Sequence, residues 1–314
     1  MKITLFTLVK VAKPLKKALS SAEAFSIKQL LDVLPAGHQW VVSYKADGIR
    51  CQLHKKGNKI KLYSDEANII SPLKVEELLK VAQNLPDSII LDGELMLYLD
   101  GEVQEHQGIA SYIHSKESRP GEVRYTIWDC LLLLGRDISK LPYSSRLEKV
   151  NALHIQEPIY KIKYAIGTTA AIPRLIDRVK SDEGAIIRAA DSTYWQDNLL
   201  FKYKKTYDID AKIVKVEKKR GGEVYLVADA EGNVLGRTFK QSYMSGKVGN
   251  IVRIAVTKIY KHDVKGKTIY TLYAPSVQAG GKGAAGGTSK RYQTDKKADT
   301  QSTLEKIYQA TVGK

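Results

Sequence analysis

Four short stretches of this sequence combine residue types and spacings suited to chemistry on a phosphate. The first is Lys45, Asp47, Gly48 and Arg50, a K-x-D-G-x-R pattern. A lysine amine attacks only when unprotonated, so its pKa must fall from about 10.4 through burial or neighbouring cations. Arg50 is close in sequence, and the cluster Lys202, Lys204 and Lys205 is a candidate to converge on the amine in space. Gly48 permits a bend and the close approach of a ligand to the backbone. On these residues alone, an exposed hairpin with a Lys–Asp pair and a turn glycine is an equally open reading. The second stretch is Asp92-Gly93-Glu94, after the apolar run Ile89–Leu91. It either closes a tight turn or projects carboxylate into a cleft, where it suits a metal or ribose contact, because Mg²⁺ commonly uses one or two carboxylates plus phosphate oxygens. In the third, Glu183-Gly184 precedes Ala185-Ile186-Ile187. In the fourth, Lys202 and Lys204 share one side of a strand while Tyr203 points away. Two ammonium groups there repel unless an anion sits between them, although a solvated basic edge strand writes the same pattern.

The elements that must hold these residues are legible in outline. Val41 to Ser64 alternates apolar and polar positions on both sides of Gly57-Asn58, which reads as a hairpin whose strand begins at the lysine. Ser71 and Pro72 suit the cap and first position of a helix carrying Val75, Leu78, Leu79 and Ala82 on one face. A strand pair turns at Asp100-Gly101, residues 123–135 read as a buried strand, and 142–153 as a helix. Residues 207–275 hold about five short strands punctuated by glycine turns, which fits a small barrel such as the oligonucleotide-binding (OB) fold. The segment 276–314 opens with five glycines between Gly280 and Gly287 and carries seven Lys/Arg against three Asp/Glu, so it reads as a flexible basic tail with a short helix around Leu304–Ala310.

Composition narrows the function classes. In 314 residues, 50 Lys+Arg against 34 Asp+Glu give a net charge of +16, which favours a polyanionic partner, nucleic acid before an anionic membrane surface. Cys51 and Cys130 sit in apolar runs, away from disulfide-framework or zinc-ligand spacing. No run approaches the length of a membrane span. The N-terminal stretch is crowded by Lys10, Lys13, Lys16 and Lys17 where the apolar core of a secretion signal should continue, so a cytoplasmic or nucleoid-associated location is expected.

The order of the boxes is more specific than any one of them. Lysine box, acidic box, the aromatic-Asp segment around Trp128-Asp129, Glu-Gly box and K-x-K box, followed by a small β domain, resembles the covalent nucleotidyltransferases, and most closely the ATP-dependent DNA ligases in a minimal two-domain form. The resemblance covers roughly residues 38–275 and implies an α+β fold. Residues 1–206 would be a nucleotidyltransferase (adenylylation) domain of antiparallel sheets with flanking helices, and residues 207–275 an OB-fold barrel. It also implies that Lys45 attacks the α-phosphate of ATP to form lysyl–AMP, that AMP passes to the 5′-phosphate of a nick, and that the 3′-hydroxyl displaces it. By the same likeness Asp47 and Gly48 line the nucleotide site, Arg50 and Glu94 hold the ribose region, and Trp128 stacks on adenine where many relatives have Phe. Glu94 and Glu183 would be the metal carboxylates for Mg²⁺, with Mn²⁺ as a substitute, and Lys202 and Lys204 would grip the α-phosphate. The implied partner is nicked double-stranded DNA, engaged by a monomer, with a hinge near Tyr207–Asp210.

Three departures from the family pattern stand out. Asp65 occupies the place of an expected arginine after the first hairpin, Ser43 stands where many DNA ligases have Glu, and the closing Arg/Lys-rich box has no clear match, Lys282 being a poor substitute. An RNA ligase or a capping-type guanylyltransferase shares the lysine chemistry and is the alternative; a non-catalytic nucleic-acid-binding protein on the same scaffold is the third reading.

Overall fold

The computed structural model describes residues 3–7, 23–24, 27–65, 68–115, 117, 120–179, 183–219, 222–239, 247–264, 266–273, 276–277 and 297–312. By its contacts the chain divides into two compact units, Met1–Lys204 and Lys205–Lys314.

Two sheets build the first unit. One has five strands in the order β1 (Glu23–Ala24), β12 (Leu200–Tyr203), β11 (Ala185–Ala189), β2 (Gln39–Tyr44) and β10 (Tyr164–Thr168). Only the β1–β12 pair is parallel. Trp40, Val42, Ile187 and Phe201 of this sheet bury against Leu30 of α1 (Ile27–Val33) and against Ile172 and Leu175 of α5 (Ile172–Val179). The other sheet has seven strands. Its main path is β4 (Lys59–Ser64), β3 (Ile49–Lys56), β5 (Ile89–Leu99), β7 (Glu122–Leu133) and β8 (Arg136–Asp137), with β6 (Glu102–Val103) on β5 and β9 (Ile159–Lys161) on β7. Leu53, Leu62, Leu91, Leu95 and Ile127 form its core with side chains of α2 (Glu76–Ala82), α3 (His106–His114) and α4 (Tyr143–Ala152). Each such side chain contributes about 1.5–3 kcal/mol by leaving water.

The structure redraws several local readings. The hairpin around Gly57-Asn58 is β3–β4 alone; β2 lies in the other sheet, and residues 45–48 are the crossing between the two. Asp92-Gly93-Glu94 closes no turn, because it lies inside the eleven-residue strand β5, whose turn comes later at Asp100-Gly101. The expected cap at Ser71 makes no side-chain hydrogen bond: Pro72–Lys74 form a 3₁₀ turn, and the helix starts at Glu76 after buried Val75 adopts φ −138°.

The second unit winds a five-stranded sheet, β15 (Val234–Phe239), β14 (Gly222–Ala228), β13 (Tyr207–Lys219), β16 (Ile251–Val256) and β19 (Ser276–Val277), beside the hairpin β17 (Lys258–Val264)–β18 (Lys267–Tyr273). The thirteen-residue β13 pairs with β16 through its first half and with β14 through its second, and a register shift between Ile213 and Lys215 bends it. The overall class is the expected α+β one, mostly antiparallel sheet, with a β-rich second unit. Tyr207–Asp210, expected as a hinge, is regular strand paired to 253–256; the irregular stretch at the unit boundary is 204–206. Residues 278–296 of the expected flexible tail, with Lys282, lie outside the described residues, but Gln301–Val312 form helix α6, whose Leu304 is fully buried in the second unit's core beside Ile307 and Tyr308.

Candidate active site

Lys45 follows the last residue of β2, where the chain leaves one sheet for the other. Its backbone N–H donates to the Gly184 carbonyl (3.0 Å), extending the β2–β11 ladder by one step. Across the sheet, Tyr44 pairs with Ala185 and Ala185 with Tyr203, so the next row brings Lys45, Gly184 and Lys204 side by side. Lys202 lies two residues back on β12, opposite Ile186. This row needs glycine at its centre: Gly184 has φ +121°, and a Cβ there would lie 2.0 Å from the Tyr203 carbonyl oxygen. The arrangement directs Glu183 at the lysine, with Nζ 3.6 Å from Oε2 and both side chains largely buried.

The facing sheet supplies the other wall. Gly48 is pressed against β5, where an added Cβ would meet the Leu95 carbonyl oxygen at 2.1 Å and Glu94 Cγ at 2.8 Å. Its N–H donates to Glu94 Oε1 at 3.2 Å. Burial drives the Glu94 carboxyl up to about 8, against the opposing pull of Lys45, the Gly48 N–H and Arg50 and with added repulsion from Asp92. Arg50 pairs across β3–β5 with Glu94 in register, yet its guanidinium turns to Asp92: Nε donates to Oδ1 (3.1 Å) and Nη2 to Oδ2 (2.6 Å). That fork raises the Arg50 pKa beyond its ordinary value despite burial. Asp47 is half-buried in the crossing. Trp128 packs on the small cluster of Val41, Tyr143, Leu147 and Ile162, on which Tyr44 also packs, next to Lys45 in the chain.

The structure therefore brings Lys45 together with Glu183, Gly48 with Glu94, and Arg50 with Asp92, while Lys202 and Lys204 join through backbone register. Sequence reasoning named Asp129 only as part of the aromatic-Asp segment, without its partners, and did not single out Tyr194. Tyr194, in the loop after β11, reaches Arg50 Nη2 and Asp92 Oδ2, both at 2.8 Å. Fully buried Asp129 accepts from Arg146 (2.7 and 2.9 Å), from Arg188 (3.1 Å) and from the Cys130 N–H (2.8 Å). Arg146 and Arg188 also donate to the Ser192 and Thr193 carbonyls respectively, so one carboxylate ties β7, α4, β11 and the Tyr194 loop into a single frame. Among the described residues no group of three or more His, Cys, Asp or Glu side chains is gathered to hold a metal. No described helix is long and apolar enough to cross a membrane.

With this geometry in place, comparison with known proteins is informative. The family model of the ATP dependent DNA ligase domain matches residues 10–204. The chain is 30% identical over 156 residues to the SPbeta prophage-derived DNA ligase-like protein LigB of Bacillus subtilis, covering 49% of this chain and 56% of that protein. It is 24% identical over 310 residues to a probable DNA ligase of Streptomyces coelicolor, covering 87% of this chain and 59% of that one. The chain thus spans about half the length of the curated relatives it matches. A solved structure described as "DNA binding with a minimal scaffold: Structure-function analysis of Lig E DNA ligases" aligns with TM-score 0.54 at 20% identity, over 76% of this chain and 91% of that one. A second, "Pmar-Lig_PreS3", aligns with TM-score 0.57 at 14% identity, over 82% and 66%. At these identities the structures attest the fold.

Proposed function

The chain belongs to the family of the ATP dependent DNA ligase domain, and from that premise we propose that it seals nicks in duplex DNA, with Lys45 as the covalent nucleophile. The single observation that carries the residue assignment is the row at the end of β2, with Lys45 Nζ 3.6 Å from Glu183 and Lys204 one strand beyond Gly184.

In the first step Lys45 Nζ, having given up its proton, bonds to the α-phosphorus of ATP, and the bond from that phosphorus to the β-bridging oxygen breaks to release pyrophosphate. Lys202 and Lys204 face the charge that accumulates on the phosphoryl oxygens and lower its energy, the electrostatic role that dominates phosphoryl transfer. Arg50 and Glu94 hold the ribose region, Asp47 and Gly48 line the nucleotide site, and Trp128 faces adenine. In the second step a 5′-phosphate oxygen at the nick takes the adenylate from the lysine. In the third, the 3′-hydroxyl attacks that phosphate and AMP leaves. Glu183 and Glu94 are the carboxylates that would hold Mg²⁺, which when bound would neutralise phosphate charge; two carboxylates are enough for such an ion because phosphate oxygens can supply further donors. Nicked double-stranded DNA is the substrate, held by a monomer in the cytoplasm or on the nucleoid. Residues 1–206 act as the adenylylation domain and 207–275 as the OB domain.

Incubation with ATP and Mg²⁺ is expected to add the mass of one AMP to the chain, and Lys45→Ala to abolish both this adduct and sealing of a labelled nicked duplex. Uptake of GMP in preference to AMP, or nick sealing that persisted in Lys45→Ala, would overturn the reading.

A further inference from the structure

Arg50 makes its three hydrogen bonds through Nε and Nη2 alone: two to Asp92 and one to Tyr194. Nη1 has no hydrogen-bond partner among the described residues, and the Arg50 side chain is 28% exposed. The guanidinium is thus clamped along one edge and open along the other. What clamps it is unusual in being saturated. The Tyr194 hydroxyl donates to Asp92 Oδ2 (2.8 Å) and accepts from Arg50 Nη2 (2.8 Å) and Gln52 Nε2 (3.1 Å), which uses its one donor and both acceptor positions. Its ring has no freedom either. Tyr194 is 3% exposed, packs with Ile90, Leu131 and Leu132, and meets Trp195 edge-on.

The loop that carries Tyr194 is itself pinned from both sides. The Tyr194 N–H donates to the Ser139 carbonyl (2.9 Å), the Trp195 indole to Ser139 Oγ (3.1 Å), and the two preceding carbonyls take Arg146 and Arg188. Those arginines are also the partners of Asp129. Tyr194 therefore joins the strand that precedes the K-x-K lysines to the sheet that carries Arg50.

We propose that Tyr194 is a positioning residue: its hydroxyl, with Asp92, fixes Arg50 so that the free Nη1 edge faces the nucleotide. The inference rests on the reading above, in which Arg50 borders the bound nucleotide, and deepens it by assigning what aims that arginine. Without the hydroxyl, Nη2 loses one of its two partners and Asp92 one of its three donors, so the guanidinium can swing about the remaining carboxylate contact.

The test is the rate of adenylate formation by the full chain, followed by intact mass at a series of ATP concentrations with Mg²⁺. Four proteins are compared: wild type, Tyr194→Phe, Arg50→Lys and the double variant. Tyr194→Phe keeps the buried ring and removes one oxygen, and is expected to raise KM for ATP about tenfold, the scale of one hydrogen bond to a charged group, with kcat changed less. In the Arg50→Lys background the same change is expected to add less than about twofold, because its effect has already gone with the guanidinium. A role confined to stability predicts otherwise: Tm falls while KM stays put, or the two substitutions multiply, and either result overturns the proposal. If Tyr194→Phe does not fold, Gln52→Met removes a donor from the same oxygen and is expected to raise KM about threefold through the same arginine; an unchanged KM there also overturns it. Failure of wild type to take up AMP brings down the enzymatic reading together with this one, whereas normal uptake with no change in KM removes Tyr194 alone.

Discussion

At the scale of single residues, the site is defined as much by what is missing as by what is present. Gly48 and Gly184 let two backbones approach until no side chain fits between them, and each sits beside a carboxylate of the site. Gly48→Ala forces Leu95 or Glu94 to move, because the carbonyl oxygen 2.1 Å from the added Cβ belongs to the backbone of a central strand, and the clash cannot be relieved by a rotamer change. We expect a loss of about 1–3 kcal/mol in stability and a larger loss of adenylylation, since the Gly48–Glu94 contact moves with it; unchanged activity in a folded Gly48→Ala protein would show that this approach is not needed. The K-x-D-G-x-R and K-x-K patterns were legible in the sequence because each is local, with fixed offsets between its residues; in the fold Lys45 lies beside Glu183, Gly48 beside Glu94, and the K-x-K strand is paired to β11. Tyr194 and Asp129 were not recognised in these roles, for a physical reason. Their partners lie 102 residues away at Asp92, and 17 and 59 residues away at Arg146 and Arg188, so their roles exist only once register and loop path are set.

At the scale of elements, periodicity marked strands well and their partners poorly. The β5–β6 turn and the helix over Tyr143–Ala152 follow from local signals, whereas nothing local says that β2 and β3, separated by four residues, belong to different sheets. The same holds for α6, whose Leu304 gains its meaning only from the β domain it covers. One further element contact invites a test. Residues 3–7 lie against the β3–β4 hairpin, where the Phe6 N–H donates to His54 Nδ1 (3.1 Å) and Tyr63 donates to the Phe6 carbonyl (3.1 Å). Burial lowers the His54 pKa to about 4, and as an acceptor Nδ1 must be unprotonated. The unfolded chain binds this proton near pH 6.5 and the folded chain only near pH 4, so the contribution to stability is complete above about 6.5 and is lost as pH falls toward 4. The loss amounts to about 3 kcal/mol at most. His54→Asn, which retains an acceptor and cannot titrate, is expected to flatten the part of the stability–pH curve between 6.5 and 4. Parallel curves for the two proteins in denaturant titrations would show that His54 does not stay neutral in the fold.

At the scale of the whole molecule, the excess of 16 positive charges was readable from composition, but its distribution was not. In the second unit, alternation and the bend in β13 leave Lys212, Lys215 and Lys218 exposed, while Ile209, Ala211 and Ile213 fill the core. Lys215 is paired with Glu217, which also meets Arg237, so part of this charge is already neutralised within the protein. Lys212 and Lys218 are therefore the better candidates for phosphate contact. If duplex DNA is held mainly through phosphates, each neutralised phosphate releases condensed counterion, and affinity for a nicked duplex should fall roughly a thousandfold or more between 50 and 200 mM salt when six or more are engaged. The same affinity should be indifferent to base sequence around the nick. Replacing Lys212 and Lys218 with glutamine is then expected to weaken binding uniformly across sequences and to reduce the log–log salt slope by about one for each phosphate that is no longer neutralised. These lysines are not among the residues assigned above to adenylate formation, so that step, run with ATP and Mg²⁺ and no DNA, should proceed as in wild type. A salt slope unchanged in the double variant would remove this face of β13 from the DNA-binding surface, and a strong dependence on flanking sequence would mean that base edges, not phosphates, carry the recognition.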